Sequence, residues 1–216
     1  MVHTTDLRRL ERDAFRKFYD DGVFDLFLGA MLGLMPLAGQ VDSWSNSEVV
    51  RIAAYIVIYG GLVTLFMGWR RRLLRTRLGD FKPGPERRRK IHVVRLVLAG
   101  SVLVGLVGFA IGAVAPAADW SVTDLEFIMP IVWFVNATVV FSLMAHFLDV
   151  PRLHIHGVLF GSALLIKEWP GALWDIEVPL GVAFGAPAAV IVGIGLVKLT
   201  QFVRDHPVIS ATDASL

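Results

Sequence analysis

Ionisable side chains within apolar segments are the residues of this chain that could do chemistry. Asp25 lies about one helical turn inside the first apolar segment. Acidic and small residues share one helix face there, because they recur at every fourth position: Asp21, Asp25, Gly29 and Gly33. A carboxylate in hydrocarbon is costly, so we expect this face to look inward and to mark a functional site or an ion pair.

The partners expected for Asp25 lie at a similar depth on other segments. Arg95 stands near the start of the third apolar segment and is the first choice, with His92 and His146 next. Asn136 lies in the middle of the fourth segment, where an amide forms hydrogen bonds between helices. We therefore predict an intramembrane polar site formed by Asp25, Arg95, Asn136 and His146.

Three of the six His residues gather with one carboxylate around a tight turn between the fourth and fifth segments. These residues are His146, Asp149, His154 and His156. Imidazole and carboxylate groups are ligands of zinc, iron and manganese, so one interpretation is a metal site. The alternative is structural: Asp149 caps the helix that follows Pro151, and the His residues are ordinary interfacial side chains.

A strongly basic run separates the second and third apolar segments. Ten Lys and Arg residues between Arg70 and Lys90 stand against two acidic residues. Such a run attracts anionic lipid headgroups at about 1 kcal/mol per basic residue, or it serves only to set the topology. The headgroup candidates are Arg70, Arg71, Arg72, Arg75, Arg87, Arg88, Arg89 and Lys90. No nucleic-acid partner is expected, because no aromatic interleaving or binding module accompanies the charge.

The composition is that of a membrane protein. Hydrophobic residues make up 55% of the chain, against about 45–50% in soluble domains. With 216 residues, the length allows roughly six membrane-spanning helices and no second globular domain. The absence of Cys excludes thiolate-ligated metals, iron–sulfur clusters and thiol nucleophiles, and the sequence identifies no cofactor.

Six apolar segments predict an all-α integral membrane protein, a bundle of six transmembrane helices preceded by an N-terminal amphipathic helix. The amphipathic helix covers residues 1–21, the membrane domain 22–199 and a cytoplasmic tail 200–216. The predicted spans are 22–38, 52–69, 93–115, 127–148, 154–174 and 179–199. Span five is the least regular, because its short apolar stretch is followed by Lys167 and Glu168.

Charge distribution sets the expected orientation. With six spans and both termini in the cytoplasm, 19 of the 21 Lys and Arg residues lie on the cytoplasmic side. This bias is what the positive-inside rule requires. The expected location is the plasma (inner) membrane.

Three classes of function fit these features. The chain is a non-enzymatic transporter- or channel-type protein or an accessory subunit of one, a membrane-embedded metal-dependent enzyme, or a lipid-binding scaffold. A homo-oligomer is a further expectation, because close-approach patterns occur at Gly108-x-x-x-Gly112 and Gly181-x-x-x-Gly185.

The predicted topology can be tested with single cysteines in this cysteine-free chain. An impermeant thiol reagent added to intact cells should label Ala118→Cys, in the loop beside Asp119, because that loop is expected outside. Ser215→Cys should react only after lysis. Labelling of Ser215→Cys but not Ala118→Cys on intact cells would contradict the orientation.

Overall fold

The computed structural model describes most of the chain outside its first 20 and last nine residues. The described parts are residues 21–37, 40, 47–78, 85–114 and 122–207. Three predicted features lie outside them: the N-terminal amphipathic helix, apart from Asp21, the loop that contains Asp119, and the tail beyond residue 207.

Six α-helices make up the regular structure of the described residues, which contain no strand. In chain order they are α1 (Val23–Gly33), α2 (Glu48–Leu78), α3 (Pro85–Val114), α4 (Val122–Leu148), α5 (Leu153–Trp174) and α6 (Leu180–Asp205). Each helix overlaps one predicted span. The prediction of an all-α membrane bundle is confirmed.

Within the described residues, four helices contain segments long and apolar enough to cross a membrane: Val49–Leu74, Arg89–Gly108, Phe127–Leu148 and Leu180–Asp205. Each has at least 20 residues, and 20 residues span about 30 Å, the thickness of the hydrocarbon core. The apolar segment Val23–Leu37, which contains α1, is shorter. In α5 the apolar residues are diluted by His154, His156, Lys167 and Glu168.

Helix continues into much of the basic run. α2 extends beyond the predicted span to Leu78, the last residue described in that segment. α3 starts at Pro85, well before the predicted start of span three. Arg is a good helix former, and Pro suits the first position of a helix, where its missing N–H is not needed. The direction of each basic side chain in these helical parts therefore depends on its position around the helix axis.

The described helices fall into two compact units. One comprises α1, α2 and the part of α6 from Ala189 onward. The other comprises α3, α4, α5 and the part of α6 up to Ala188.

In the second unit, α4 and α5 form a hairpin around a turn at Asp149. Asp149 has a left-handed backbone (φ 57°), and the Val150 N–H donates to the Ala145 carbonyl at 3.0 Å, which closes α4. Arg152 is the N-cap residue of α5. The prediction that Asp149 caps α5 is wrong, because the N–H of Leu153 donates instead to the backbone carbonyl of Val150 at 3.2 Å.

Glycines let α4 and α5 approach backbone to backbone. A Cβ added to Gly157 would lie 2.8 Å from the Phe141 Cβ, and one added to Gly161 would lie 3.0 Å from the Phe134 Cα. Small residues commonly permit such contact between membrane helices.

The register of this hairpin locates the charged part of α5. Gly161 faces Phe134, so six residues further along α5 Lys167 is level with Ile128, six residues back along α4. The apolar segment of α4 begins at Phe127. Lys167 therefore lies near the end of the membrane-crossing segment, where a long side chain can extend to the interface.

A hydrogen bond joins α3 to α4 within their apolar segments. The Asn136 amide Nδ2 donates to Ser101 Oγ at 3.0 Å. This is the interhelical hydrogen bond that the sequence predicts for Asn136, and it satisfies a polar side chain that lipid could not.

Candidate functional site

The start of α1 rests directly on α6 within the first unit. Gly22 has a left-handed backbone (φ 73°), and a Cβ added there would collide with the Gly195 carbonyl oxygen and the Leu199 nitrogen. A Cβ added to Gly195 would lie 2.9 Å from the backbone nitrogen of Leu26. No larger residue fits at either position without moving a helix, so two glycines fix the depth of α1 against α6.

Asp21 connects this contact to α2. Its side chain is fully buried, and its Oδ1 accepts the backbone N–H of Val23 at 3.0 Å. Its Oδ2 accepts the Arg70 Nε–H at 2.9 Å, and the Arg70 side chain is only 17% exposed. One carboxylate thus satisfies the first turn of α1 and neutralises a basic residue of α2.

Burial and the Arg70 charge have opposite effects on the pKa of the Asp21 carboxyl. Burial raises the pKa of the Asp21 carboxyl above its ordinary value, and the Arg70 charge and the hydrogen bonds oppose that effect without cancelling it. Removing two charges from water is costly, and their attraction offsets this cost only when the geometry is good. The pair therefore tolerates little change in the position of either side chain.

Asp25 lies four residues after Asp21, in the first turn of α1, and is also fully buried. Asp21, Asp25 and Gly29 are all buried, as predicted for an inward-facing stripe, whereas Gly33 is exposed. The Lys198 side chain of α6 begins beside Gly22, because a Cβ added to Gly22 would lie 2.9 Å from the Lys198 Cβ.

The partners predicted for Asp25 belong to the other unit. Arg95 on α3 and His146 on α4 are both exposed, and Asn136 bonds to Ser101. The pairing of Asp25 with Arg95 or His146 therefore stays a prediction.

The four residues of the predicted metal site have separate surroundings. Asp149 Oδ2 lies 3.5 Å from Lys90 Nζ. His154 Nδ1 lies 3.0 Å from Ser142 Oγ. The fully buried His156 places Nδ1 2.8 Å from the Arg152 carbonyl.

His146, the remaining member of that set, is exposed and packs edge-on against Phe147. Among the described residues, no three His, Asp or Glu side chains come together in a group that could hold a metal ion. The interpretation as a metal centre therefore gains no support from the geometry.

The predicted headgroup residues have different environments. Arg70 pairs with Asp21 and Lys90 lies beside Asp149, whereas Arg71, Arg72 and Arg89 are exposed. The side chains of Arg75, Arg87 and Arg88 are outside the described part of the structure. Their exposure makes Arg71, Arg72 and Arg89 accessible to lipid. Lipid binding by these residues stays a prediction.

Two roles of basic residues were not predicted from the sequence. One is the Asp21–Arg70 pair, although Asp21 precedes span one and Arg70 follows span two, so both lie at one membrane surface in a six-span topology. The other is Arg77, whose guanidinium donates to the carbonyls of Val203, at 3.0 Å, and His206. These carbonyls are at the end of α6, where unpaired acceptors favour a cation.

The burial of the pair predicts a large effect of Arg70→Gln. The variant leaves the Asp21 charge buried without its guanidinium partner, which should lower the free energy of unfolding by about 3 kcal/mol. Arg71→Gln is the matched control, because its side chain is exposed, and it should change stability by less than about 0.5 kcal/mol. Denaturant titration of both purified proteins in one detergent measures the difference.

The same variant should have a characteristic pH dependence. A carboxyl whose pKa is raised by folding binds its proton more tightly in the folded state, so stability is lost as pH rises through the folded pKa. Without Arg70 the pKa of Asp21 rises further. Arg70→Gln should therefore destabilise less at acid pH than at neutral pH, and an equal loss at both would argue against a charged Asp21.

Comparisons of this chain with protein-family models, with curated proteins and with solved structures found no match. Any functional assignment therefore rests on the residues and geometry described above.

Proposed function

We propose that this integral membrane protein is non-enzymatic and moves a small solute or ion, or is an accessory subunit of a protein that does so. The observation that carries the proposal is the burial of Asp25 in the first turn of an apolar helix. Ionisable residues in such positions commonly mark ion or substrate pathways. In this proposal Asp25 is the residue that binds the cation or proton.

The surroundings of Asp25 support separate roles for the two carboxylates of α1. Asp21 is held by Arg70 and by the first turn of the helix, which suits a structural anchor. Asp25 adjoins Leu26, whose backbone packs on Gly195 at the contact between α1 and α6. Asp21 thus holds the start of α1 in place, which leaves Asp25 to bind the ion.

The geometry gives less support to a metal-dependent enzyme. The metal ligands of such an enzyme would be the His and Asp residues around the turn at Asp149. Instead, Asp149, His154 and His156 each contact a different protein group.

We also propose that both termini lie in the cytoplasm and that the protein resides in the plasma (inner) membrane. The Asp21–Arg70 pair supports this orientation, because it brings the start of α1 and the basic end of α2 to one membrane surface.

Self-association is a further proposal. At Gly181 and Gly185 an added Cβ would meet no described atom of the same unit within 4 Å, so this surface could contact a second copy.

Asp25→Asn should separate function from stability. In vesicles containing the purified protein and a pH- or cation-sensitive dye, wild-type protein should raise the rate of H⁺, Na⁺ or K⁺ entry above that of protein-free vesicles. Asp25→Asn should reduce that excess rate at least tenfold while lowering Tm little, because the amide keeps the shape but cannot carry the charge.

Asp205→Asn is the matched control, since it removes a carboxylate that is well exposed at the end of α6. It should leave both flux and Tm unchanged. Full flux in Asp25→Asn, or wild-type flux no faster than in empty vesicles for all three ions, would count against an ion-moving role for Asp25.

A further inference from the structure

The basic end of α3 distributes its charged residues over two faces. Lys90 is half-buried, and its Nζ lies 3.5 Å from Asp149 Oδ2. Arg89, His92 and Arg95 are exposed and recur at every third position, which places them on one outward face. Within the described part of the chain, none of these three side chains has a hydrogen bond or an ion pair.

The outward face continues as an apolar strip. Leu96, Leu103 and Leu106 are each at least 60% exposed, and helical periodicity places them below the three basic positions. Val94, on the opposite side of α3, is buried. The face thus combines cations at one end with exposed apolar side chains along the membrane segment.

We propose that this α3 lipid face, formed by Arg89, His92, Arg95 and the leucines below them, binds one anionic phospholipid. Arg89 and Arg95 are about 9 Å apart along the helix axis, so they reach from the headgroup layer towards the acyl chains. The guanidinium groups donate paired hydrogen bonds to the lipid phosphate, and His92 lies between them. An acyl chain then covers the leucine strip.

The pattern of charge and apolarity favours a lipid over other occupants. A free anion would occupy the basic end but would leave the leucine strip without a function. A second copy packed in parallel on the same face would bring identical cations together at one depth, which is repulsive. A phospholipid contacts both parts of the face, the basic residues through its phosphate and the leucine strip through an acyl chain. The inference goes beyond the proposed role of Asp25 and does not depend on it.

Native mass spectrometry of the full chain from mild detergent tests the proposal. Phosphatidylglycerol and phosphatidylcholine are added in equal amounts, and wild-type protein should retain phosphatidylglycerol preferentially. Arg89→Gln and Arg95→Gln should each lower its apparent affinity about fivefold, the equivalent of one basic residue near an anionic headgroup. Arg89→Lys, which keeps the charge but loses the paired hydrogen bonds, should have a smaller effect.

Lys90→Gln is the matched control, because it removes the same charge one position away on the face towards Asp149, and it should bind the lipid like wild type. An equal loss in Lys90→Gln, or equal retention of both lipids by wild type, would overturn the proposal. Displacement of the lipid by millimolar inorganic phosphate would indicate a free-anion site instead. A dimer that Arg89→Leu strengthens, with no retained lipid, would indicate a second copy.

Discussion

A charged group in hydrocarbon needs a partner of opposite charge or a hydrogen bond. This constraint determines the structure at the start of α1. Asp21 is fully buried, yet it bonds to Arg70 and to the backbone at the start of its helix. Arg77 satisfies carbonyls at the end of α6, and Lys90 lies beside Asp149. Each contact joins a helix end to another element, so the charges that direct insertion also hold the helices together.

Tight packing complements these charge contacts at a few glycines. Lipid tails are as apolar as leucine, so membrane helices associate through close packing and hydrogen bonds rather than through the hydrophobic effect. Gly22 and Gly195 bring α1 onto α6, and Gly157 and Gly161 bring α4 onto α5. The Asp21–Arg70 bond forms where the first of these contacts fixes the depth of α1. Packing therefore positions the charges, and the charges stabilise the packed arrangement.

Hydropathy and residue spacing were sufficient to predict the six helices and the inward face that contains Asp25. They could not predict which cation bonds to which carboxylate. The sequence indicates the membrane depth of a charged residue but not its partner. Arg70 was therefore predicted to bind lipid, although its depth matches that of Asp21. The prediction that Asp149 caps α5 was wrong for a local reason. The left-handed backbone of Asp149 ends α4, and backbone carbonyls accept the N–H groups at the start of α5.

Asp21 and Arg70 stabilise one another across α1 and α2, and the structure at the start of α1 depends most on this interaction. A double-mutant cycle of Asp21→Asn and Arg70→Gln, with unfolding free energies measured in one detergent, tests it most directly. Because each single variant leaves a buried polar group without its partner, the double variant should be less destabilised than the sum of the two, by about 1 kcal/mol or more. Additivity within about 0.5 kcal/mol would contradict the claim.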